Sequence, residues 1–249
     1  MQESFTYFYI PPSLVTGEEI AFQEDESHHI AKVCRQQVGD EIYAVDGIGN
    51  RYLVEITMCT PQRVEGKILE TDMDVNEPHT KLSLALPWTK DPKLDLIITK
   101  ATELGVSKFV YYTADKSIIK KDDDRIEKKI ERHRRLGISA IKQSLRCVLP
   151  EMKDIGRSHN FDKCLKYYDI CLYADLNKDA LPLQTALKGH LPKWILLVIG
   201  PEAGFSKEEK ITLENSGALP ISLGPRRLRF ETAALAFTSM ALNILGEME

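Results

Sequence analysis

From Lys81 onwards the sequence alternates short apolar runs with amphipathic stretches, and this alternation restricts the fold more than any other feature. The apolar runs have the length and composition of strands, whereas the stretches between them carry helix signals. In DPKLDLIITKATELG, for example, Asp91 is the predicted N-cap, Pro92 takes the first helical position and Gly105 ends the helix. The pattern predicts an α/β domain with a mainly parallel sheet flanked by helices. The predicted strands are KLSLAL, KFVYY, CVLPEM, DICLYA, WILLVI and LPISL, and the predicted helices cover about 91–104, 123–145, 158–167 and 230–247, with a further one from 206.

The first seventy residues have the pattern of a small β-barrel. The motif DGIGN at residues 46–50 stands between two strand-like runs and predicts a hairpin. A short helix is predicted to begin at Ser27 as its N-cap, and the polar segment 71–80 predicts a linker. The chain is accordingly divided into a barrel over residues 1–72 and an α/β domain over residues 73–249.

Composition argues against a membrane protein and a metalloprotein. No apolar run approaches the roughly 18 residues that cross a bilayer, and the start lacks the regions of a secretory signal, so a soluble, cytoplasmic protein is predicted. The five cysteines are widely spaced without a CxxC motif, which argues against a disulfide framework and a zinc site. His28 and His29 have no third ligand at metal spacing, so no metal is predicted.

Two strand-exit loops that contain Gly-Pro indicate a ligand site. The run WILLVI ends in Gly200-Pro201, and Ser206 with Glu209 predicts a capping box at the next helix. The run LPISL likewise ends at Gly224. Because ligands bind beyond the carboxyl ends of parallel strands, these loops are expected to lie side by side and line a pocket. The chain has no phosphate-binding GxxxxGK[ST] motif and no GxGxxG motif, so a ligand without phosphates, held by backbone groups, is predicted.

A local excess of positive charge lies between Lys116 and Arg146. Eleven Lys and Arg accompany five Asp and Glu there, although the whole chain has a formal net charge of −4. Such a stretch is either a solvated helix face or a surface that contacts RNA phosphates. The candidates for RNA contact, some of them outside this stretch, are Arg35, Lys90, Lys120, Lys121, Lys128, Arg132 and Arg135.

Five segments, in order, resemble one family and together cover nearly the whole chain. They are HHIAKVCRQQVGDEI, KATELGV, IKQSLRCVLPEM, IGPEAGFSKEE and SLGPRRLRFETAAL. With them the sequence resembles the RsmE family, the 16S rRNA (uracil(1498)-N3)-methyltransferases of the SPOUT superfamily. The resemblance implies a PUA-like N-terminal barrel and a C-terminal sheet of the SPOUT type, threaded into a trefoil knot. It also implies a homodimer that methylates N3 of a uridine in the small ribosomal subunit, with S-adenosylmethionine as the methyl donor.

The resemblance further implies that the cofactor lies between three strand exits, Leu172–Asp175, Ile199–Gly204 and Leu223–Arg229, and it implies which residues hold the cofactor. They are Leu172, Ile199, Gly200, Pro201, Glu202, Gly204, Leu223, Gly224, Leu228 and Arg229. Three positions depart from the family pattern: Ala203 replaces a glycine, Arg227 replaces a mostly aliphatic residue, and Phe230 replaces a frequent threonine. Because Ala203 carries a Cβ, we expect either a negative φ or some backbone strain there.

Methylation of uracil N3 requires loss of its proton or stabilisation of the anionic ring. Arg229 and Arg146 could stabilise that charge, or could instead form surface ion pairs or RNA-phosphate contacts. Glu202 could accept the proton, and Gln143 could hydrogen-bond the uracil edge or be an ordinary surface residue. Glu231 is also acidic, but its place in the first turn of the last helix favours a capping role.

Two other functions stay open on the sequence alone. The departures at Ala203 and Arg227 are compatible with a non-catalytic, RNA-binding assembly factor that has retained the fold. A related knotted methyltransferase that acts on tRNA is the other alternative.

Overall fold

A computed structural model of the 249-residue chain describes residues 7–116, 123–177 and 179–248. The chain forms two compact units. The first consists of residues up to Glu77 together with Gly137–Leu149, and the second of Pro78–Leu136 together with the residues from Pro150 onwards. The predicted domain boundary between residues 72 and 73 stays a prediction, and the units differ from it at residues 73–77 and Gly137–Leu149.

The first unit is built on a curled, six-stranded sheet. Its strands are β1 (Phe8–Tyr9), β2 (Val15–Thr16), β3 (Glu19–Ala21), β4 (Glu41–Val45), β5 (Asn50–Cys59) and β6 (Val64–Met73). The order is β1-β4-β5-β6-β3-β2, with β1 parallel to β4 and the other pairs antiparallel. The hairpin predicted at residues 46–50 is confirmed, since β4 and β5 pair across it. Residues two apart, such as Val54 and Ile56, point into one core.

Two local predictions for this unit are wrong. Helix α1 (Glu24–His28) begins three residues before Ser27 and continues as one π-helical turn. Ser27 is buried within it, where its hydroxyl donates to Phe22 O at 3.2 Å and accepts from Val64 N at 2.9 Å. A side chain suited to capping therefore stabilises tertiary packing instead. Residues 71–73 of the predicted linker belong to β6 and pair with β5.

The second unit is an α/β domain with a seven-stranded sheet. Its strands are β7 (Lys81–Pro87), β8 (Lys108–Thr113), β9 (Glu151–Arg157), β10 (Ile170–Ala174), β11 (Leu181–Pro182), β12 (Trp194–Val198) and β13 (Leu219–Ser222). The order is β11-β13-β10-β12-β7-β8-β9, and every neighbouring pair is parallel. The remaining helices are α2 (Asp91–Leu104), α3 (Asp123–Ser144), α4 (Phe161–Cys164), α5 (Leu183–Leu187), α6 (Lys207–Asn215) and α7 (Phe230–Ile244). Helix α3 starts in this unit and ends in the first.

The central strands of the second unit are apolar on both sides, as in parallel sheets covered by helices. Along β12 and just beyond it, Ile195, Leu197 and Ile199 pack into one core, while Leu196 and Val198 pack into another. None of the five is more than 2% exposed. The predicted fold class, a parallel sheet flanked by helices and preceded by a smaller β unit, is confirmed.

Helix ends follow the local signals with small shifts. Gly105 ends α2 with a φ of +112°, as predicted, but Lys90 is the N-cap and Asp91 is the first helical residue. The helix predicted at 158–167 is divided into α4 and two flanking 3-10 turns. Helix α5 has no counterpart among the predicted elements, because it is only five residues long.

Strand β9 begins later than predicted because the backbone N–H groups of its expected first residues donate to a side-chain carboxylate. The backbone N–H groups of Cys147 and Val148 donate to the Glu77 carboxylate at 2.8 and 2.9 Å. Pro150 has no N–H to give to a strand. The strand therefore starts at Glu151.

In the described ranges no helix combines the length and apolar character that a membrane span requires. The same residues contain no group of three His, Cys, Asp or Glu side chains arranged for a metal ion. Burial raises the pKa of Cys147 to about 11 and that of Cys171 to about 12, so both thiols are protonated at neutral pH.

Glu247, beyond the end of α7, holds the segment before β7 through two backbone hydrogen bonds. Its Oε2 accepts from His79 N at 2.9 Å and its Oε1 from Thr80 N at 2.7 Å, and its side chain is 9% exposed. Burial opposes ionisation of this carboxyl, but the hydrogen bonds outweigh burial and hold its pKa below the ordinary 4.5. The stability that such a group contributes is present above the unfolded pKa and is lost as the pH falls through the lower folded pKa.

We expect Glu247→Gln to lower the free energy of unfolding by about 1–2 kcal/mol at neutral pH, because the amide NH2 cannot accept from a backbone N–H. The difference from wild type should shrink as the pH falls through the lowered pKa of the native carboxyl. Urea unfolding at neutral pH and over a series of acidic pH values measures both effects. Glu208→Gln, at an exposed glutamate of α6, is the control and should change stability by less than about 0.5 kcal/mol. If Glu247→Gln is as stable as wild type at neutral pH, the backbone hydrogen bonds that Glu247 accepts contribute nothing to the free energy of unfolding.

Candidate active site

Three loops at one edge of the parallel sheet line a cleft of about 270 Å³. They follow β10, β12 and β13, whose carboxyl ends share an edge because the strands lie in the order β13-β10-β12. The cleft lies where ligands bind in open α/β sheets. The strands that the two Gly-Pro loops follow are not neighbours, because β10 lies between them, but both loops line the same cleft. The exit of β10, residues 174–176, therefore forms a third wall.

The first loop, residues 200–205, is shaped by its backbone and by Phe205. Gly204 N donates to Pro201 O at 2.7 Å and closes a turn in which Gly204 has a φ of +71°. A Cβ on Gly200 would lie 2.8 Å from the Phe205 ring, which is closer than such atoms approach. Only glycine fits there without displacing the ring.

The end of this loop has the predicted chemistry. Ser206 Oγ accepts from Glu209 N at 3.0 Å, and Glu209 Oε2 accepts from Ser206 N at 2.8 Å, so the predicted capping box is confirmed. Ala203 is not among the described non-glycine residues with positive φ. Its Cβ therefore brings no left-handed strain.

The second loop, residues 223–229, has a glycine as its second residue and touches the first loop. Gly224 has a φ of +105°, and a Cβ there would meet no atom within 4 Å, so the backbone angle rather than crowding favours glycine. Arg227 Nη2 donates to Glu202 O at 3.5 Å. Phe230, 6% exposed, starts α7 and lines the cleft.

Two ion pairs lie at the cleft. Lys93 of α2 pairs with Glu202, and the hydrogen bond from Lys93 lowers the pKa of the Glu202 carboxyl below its ordinary value. Lys210 of α6 donates to both Asp175 oxygens, at 2.9 and 2.7 Å, and the Asp175 side chain is 11% exposed. Because its pKa is lowered, Glu202 is ionised at neutral pH and is a weak proton acceptor.

Most of the predicted cofactor-binding residues come together in this cleft. Those that line it are Ile199, Gly200, Pro201, Glu202, Gly204, Leu223, Gly224 and Leu228. Leu172 instead lies inside β10, fully buried in the core, and Arg229 is the exposed N-cap of α7. The lining residues outside the three strand exits that the resemblance implies are Leu176, Phe205, Lys210, Phe230 and Ala233. Asp175 and Leu176 follow a strand as Gly200 does, but no Gly-Pro marks that exit.

The other predicted catalytic residues have different surroundings. Arg146 lies in the first unit, where its Nη2 donates to Glu77 Oε2 at 2.6 Å and both side chains are at most 3% exposed. The guanidinium is thus committed to a buried carboxylate, and Arg146 does not line the cleft. Gln143 is exposed on α3 and does not line it either. Within the described part of the chain, Oε2 of Glu231 is buried without a hydrogen-bond partner.

The predicted RNA contacts lie on exposed positions where the structure describes them. The exposed residues are Arg35, Lys90, Lys128, Arg132 and Arg135. The three on α3 are spaced by four and three residues and share one helix face. Arg132 also pairs with Asp95 of α2, so part of its charge is neutralised within the fold. Lys120 and Lys121 lie outside the described residues.

The chain matches two protein-family profiles and several named relatives. The RNA methyltransferase domain profile matches residues 76–242, and the RNA methyltransferase PUA domain profile matches residues 22–69. Ribosomal RNA small subunit methyltransferase E of Bacillus subtilis is 32% identical over 234 residues, which are 90% of this chain and 87% of that protein. The protein of the same name from Aquifex aeolicus is 30% identical over 235 residues, which are 91% of this chain and 95% of that protein.

A solved structure has the same fold over almost the whole chain. It is the crystal structure of a ribosomal RNA small subunit methyltransferase E from Neisseria gonorrhoeae bound to S-adenosyl methionine, with a TM-score of 0.81 at 25% identity. The match covers 96% of this chain and 97% of that one. The resemblance noted from five sequence segments is confirmed. With the methyltransferase profile over two thirds of its length and relatives at 30% identity or more, the chain belongs to the ribosomal RNA small subunit methyltransferase E family.

Proposed function

We propose that this protein transfers a methyl group from S-adenosylmethionine to N3 of a uridine in 16S rRNA, at the position numbered 1498, in the small ribosomal subunit. The observation that carries the proposal is the three-walled cleft at the exits of β10, β12 and β13 in a chain of this family. The Neisseria protein was crystallised with S-adenosyl methionine bound, which supports the same cofactor here.

The residues around the cleft fit this cofactor, which has no phosphate. Apolar side chains such as Ile199, Leu228 and Phe230 suit the flat face of an adenine ring, and exposed main chain at Gly204 and Gly224 suits polar edges. The cofactor supplies an activated methyl group on a positively charged sulfonium. We propose that the eight predicted residues that line the cleft hold it, mainly through backbone groups and apolar contact.

The protein's main contribution is then to position the uracil and to stabilise its developing negative charge. Arg229 is our candidate for the second role, because it is exposed at the N-cap of α7, between the cleft residues Leu228 and Phe230. A fixed guanidinium donates in a planar fork to a carbonyl oxygen. We assign Arg146 a structural role, since Glu77 already engages its guanidinium.

RNA phosphates are proposed to contact the exposed basic residues of α3 together with Lys90, Lys120 and Lys121. The predicted barrel over residues 1–72, which contains the matched PUA segment and Arg35, is proposed to contribute to RNA binding. We propose further that the protein works in the cytoplasm as a homodimer, as the family resemblance implies. Sedimentation equilibrium of the purified chain tests the dimer.

We expect the pH dependence of methyl transfer to be independent of Glu202. Because Lys93 lowers the pKa of Glu202, its carboxylate does not titrate between about pH 6 and 9. Glu202→Gln is therefore expected to raise the KM for S-adenosylmethionine a few-fold while the rate-against-pH curve keeps its shape. If an inflection of the wild-type curve disappears in this variant, Glu202 is the general base and its assignment as a weak proton acceptor is wrong.

Labelled S-adenosylmethionine and small subunits that lack the modification test the proposed function. The expected result is stoichiometric label in 16S rRNA and its loss when Arg229 is replaced by alanine. Cofactor binding without label in any RNA would favour the non-catalytic assembly factor. Label in tRNA instead of 16S rRNA would favour the tRNA methyltransferase.

A further inference from the structure

Residues at the end of β8 and just beyond it donate hydrogen bonds to the first cleft loop and to the residue before that loop. They do so although β7 separates β8 from β12 in the sheet. The buried Tyr112 hydroxyl donates to Ile199 O at 2.7 Å, just before the loop. Beyond the strand, Lys116 Nζ donates to Phe205 O at 3.1 Å and to Ala203 O at 3.5 Å. An ammonium group thus binds two main-chain carbonyls of the loop, and charge-assisted bonds of this kind are stronger than neutral ones.

Asp115 secures the far end of the same loop. Its Oδ2 accepts from Ser206 Oγ at 2.6 Å, and its backbone N donates to Glu209 Oε1 at 3.0 Å. Ser206 and Glu209 are 8% and 2% exposed and form the capping box that starts α6. Asp115 and Lys116, which follow β8, therefore hold both the carbonyl groups of the first cleft loop and the first turn of helix α6.

We infer that Asp115 and Lys116 are positioning residues that set the shape of the first cleft loop, and hence its affinity for the methyl donor. The inference rests on the proposed function for the nature of the ligand, but the contacts with the loop do not. Lys116 is also the first residue of the basic stretch, so contact with an RNA phosphate is the competing role. That role would change the affinity for RNA and leave cofactor affinity unchanged.

Three variants separate these roles. Lys116→Met removes the donor, Lys116→Arg retains it, and Lys166→Met changes an exposed lysine of a 3-10 turn as a control. By calorimetry without RNA, we expect Lys116→Met to raise the Kd for S-adenosylmethionine about tenfold and Lys116→Arg less than about threefold. Lys166→Met should leave it unchanged.

Two further readouts complete the test. In the protein without ligands, amide hydrogen exchange at residues 203–206 should be faster in Lys116→Met, because the loop has lost a restraint. In turnover, the KM for S-adenosylmethionine should rise while the KM for RNA and the Tm stay near wild type.

The outcomes distinguish failure of the inference from failure of the proposed function. A wild-type protein that binds no S-adenosylmethionine contradicts the proposed function, and hydrogen exchange then still decides whether Lys116 restrains the loop. Unchanged cofactor affinity and unchanged exchange in Lys116→Met overturn the inference. A higher KM for RNA with unchanged cofactor affinity assigns Lys116 to RNA and also overturns it.

Discussion

Replacement of Arg146 by alanine is expected to lower the free energy of unfolding of the first unit by about 3–5 kcal/mol. The Glu77 carboxylate, whose side chain is 2% exposed, would then be buried without its cation. Glu77 also accepts from the backbone N–H groups of Cys147 and Val148, so its ion pair fastens Gly137–Leu149 to the rest of this unit. Arg146→Lys should be intermediate, because it keeps the charge but loses the planar fork.

Urea unfolding followed by two signals measures this effect. Both tryptophans, Trp88 and Trp194, lie in the second unit, so their fluorescence reports that unit, whereas far-ultraviolet circular dichroism reports both. We expect Arg146→Ala to move the circular dichroism transition to lower urea than the fluorescence transition. A variant with wild-type stability and a greatly reduced kcat would instead restore Arg146 as a catalytic residue.

Replacement of Gly200 by alanine is expected to lower kcat/KM about 100-fold, the size of effect that a displacement of about 1 Å produces at a reacting centre. The new Cβ would lie 2.8 Å from the Phe205 ring. That ring is 7% exposed and packs edge-on against Tyr173, with ring centroids 5.6 Å apart, so it cannot move away freely. The cleft loop must shift instead, with a loss of about 1–3 kcal/mol of stability from overpacking.

A second substitution tests whether crowding by the Phe205 ring causes the loss of activity in Gly200→Ala. Phe205→Leu removes ring atoms that the new Cβ would meet, so Gly200→Ala combined with Phe205→Leu should bind S-adenosylmethionine more tightly than Gly200→Ala alone. Lys166→Met, at an exposed lysine outside the cleft, is the control and should bind it as wild type does. If Gly200→Ala keeps wild-type affinity, crowding by Phe205 does not shape the cleft.

Features that depend on neighbouring residues could be predicted from the sequence. Gly105 ends α2, and Ser206 with Glu209 caps α6, because each signal acts within one helical turn. The alternation of short apolar runs, such as residues 195–199, with stretches that carry helix signals indicated the α/β class. The two Gly-Pro exits located the cleft, because parallel strands end at one edge of a sheet.

Features that depend on distant partners could not be predicted in this way. Arg146 and Glu77 are 69 residues apart, and no local pattern marks either as half of a buried pair. The place of β10 between β12 and β13 follows from sheet order, which a linear pattern does not encode. The third wall of the cleft, with Asp175, was accordingly implied by the family resemblance alone and not by any pattern in the residues.

Mass spectrometry of nucleosides from small-subunit RNA, before and after incubation with the purified protein and S-adenosylmethionine, tests the central claim most directly. We expect 3-methyluridine to appear in RNA that lacked it, and Gly200→Ala to produce far less. RNA that gains no methylated uridine, while the protein binds the cofactor, would contradict the proposed methyl transfer.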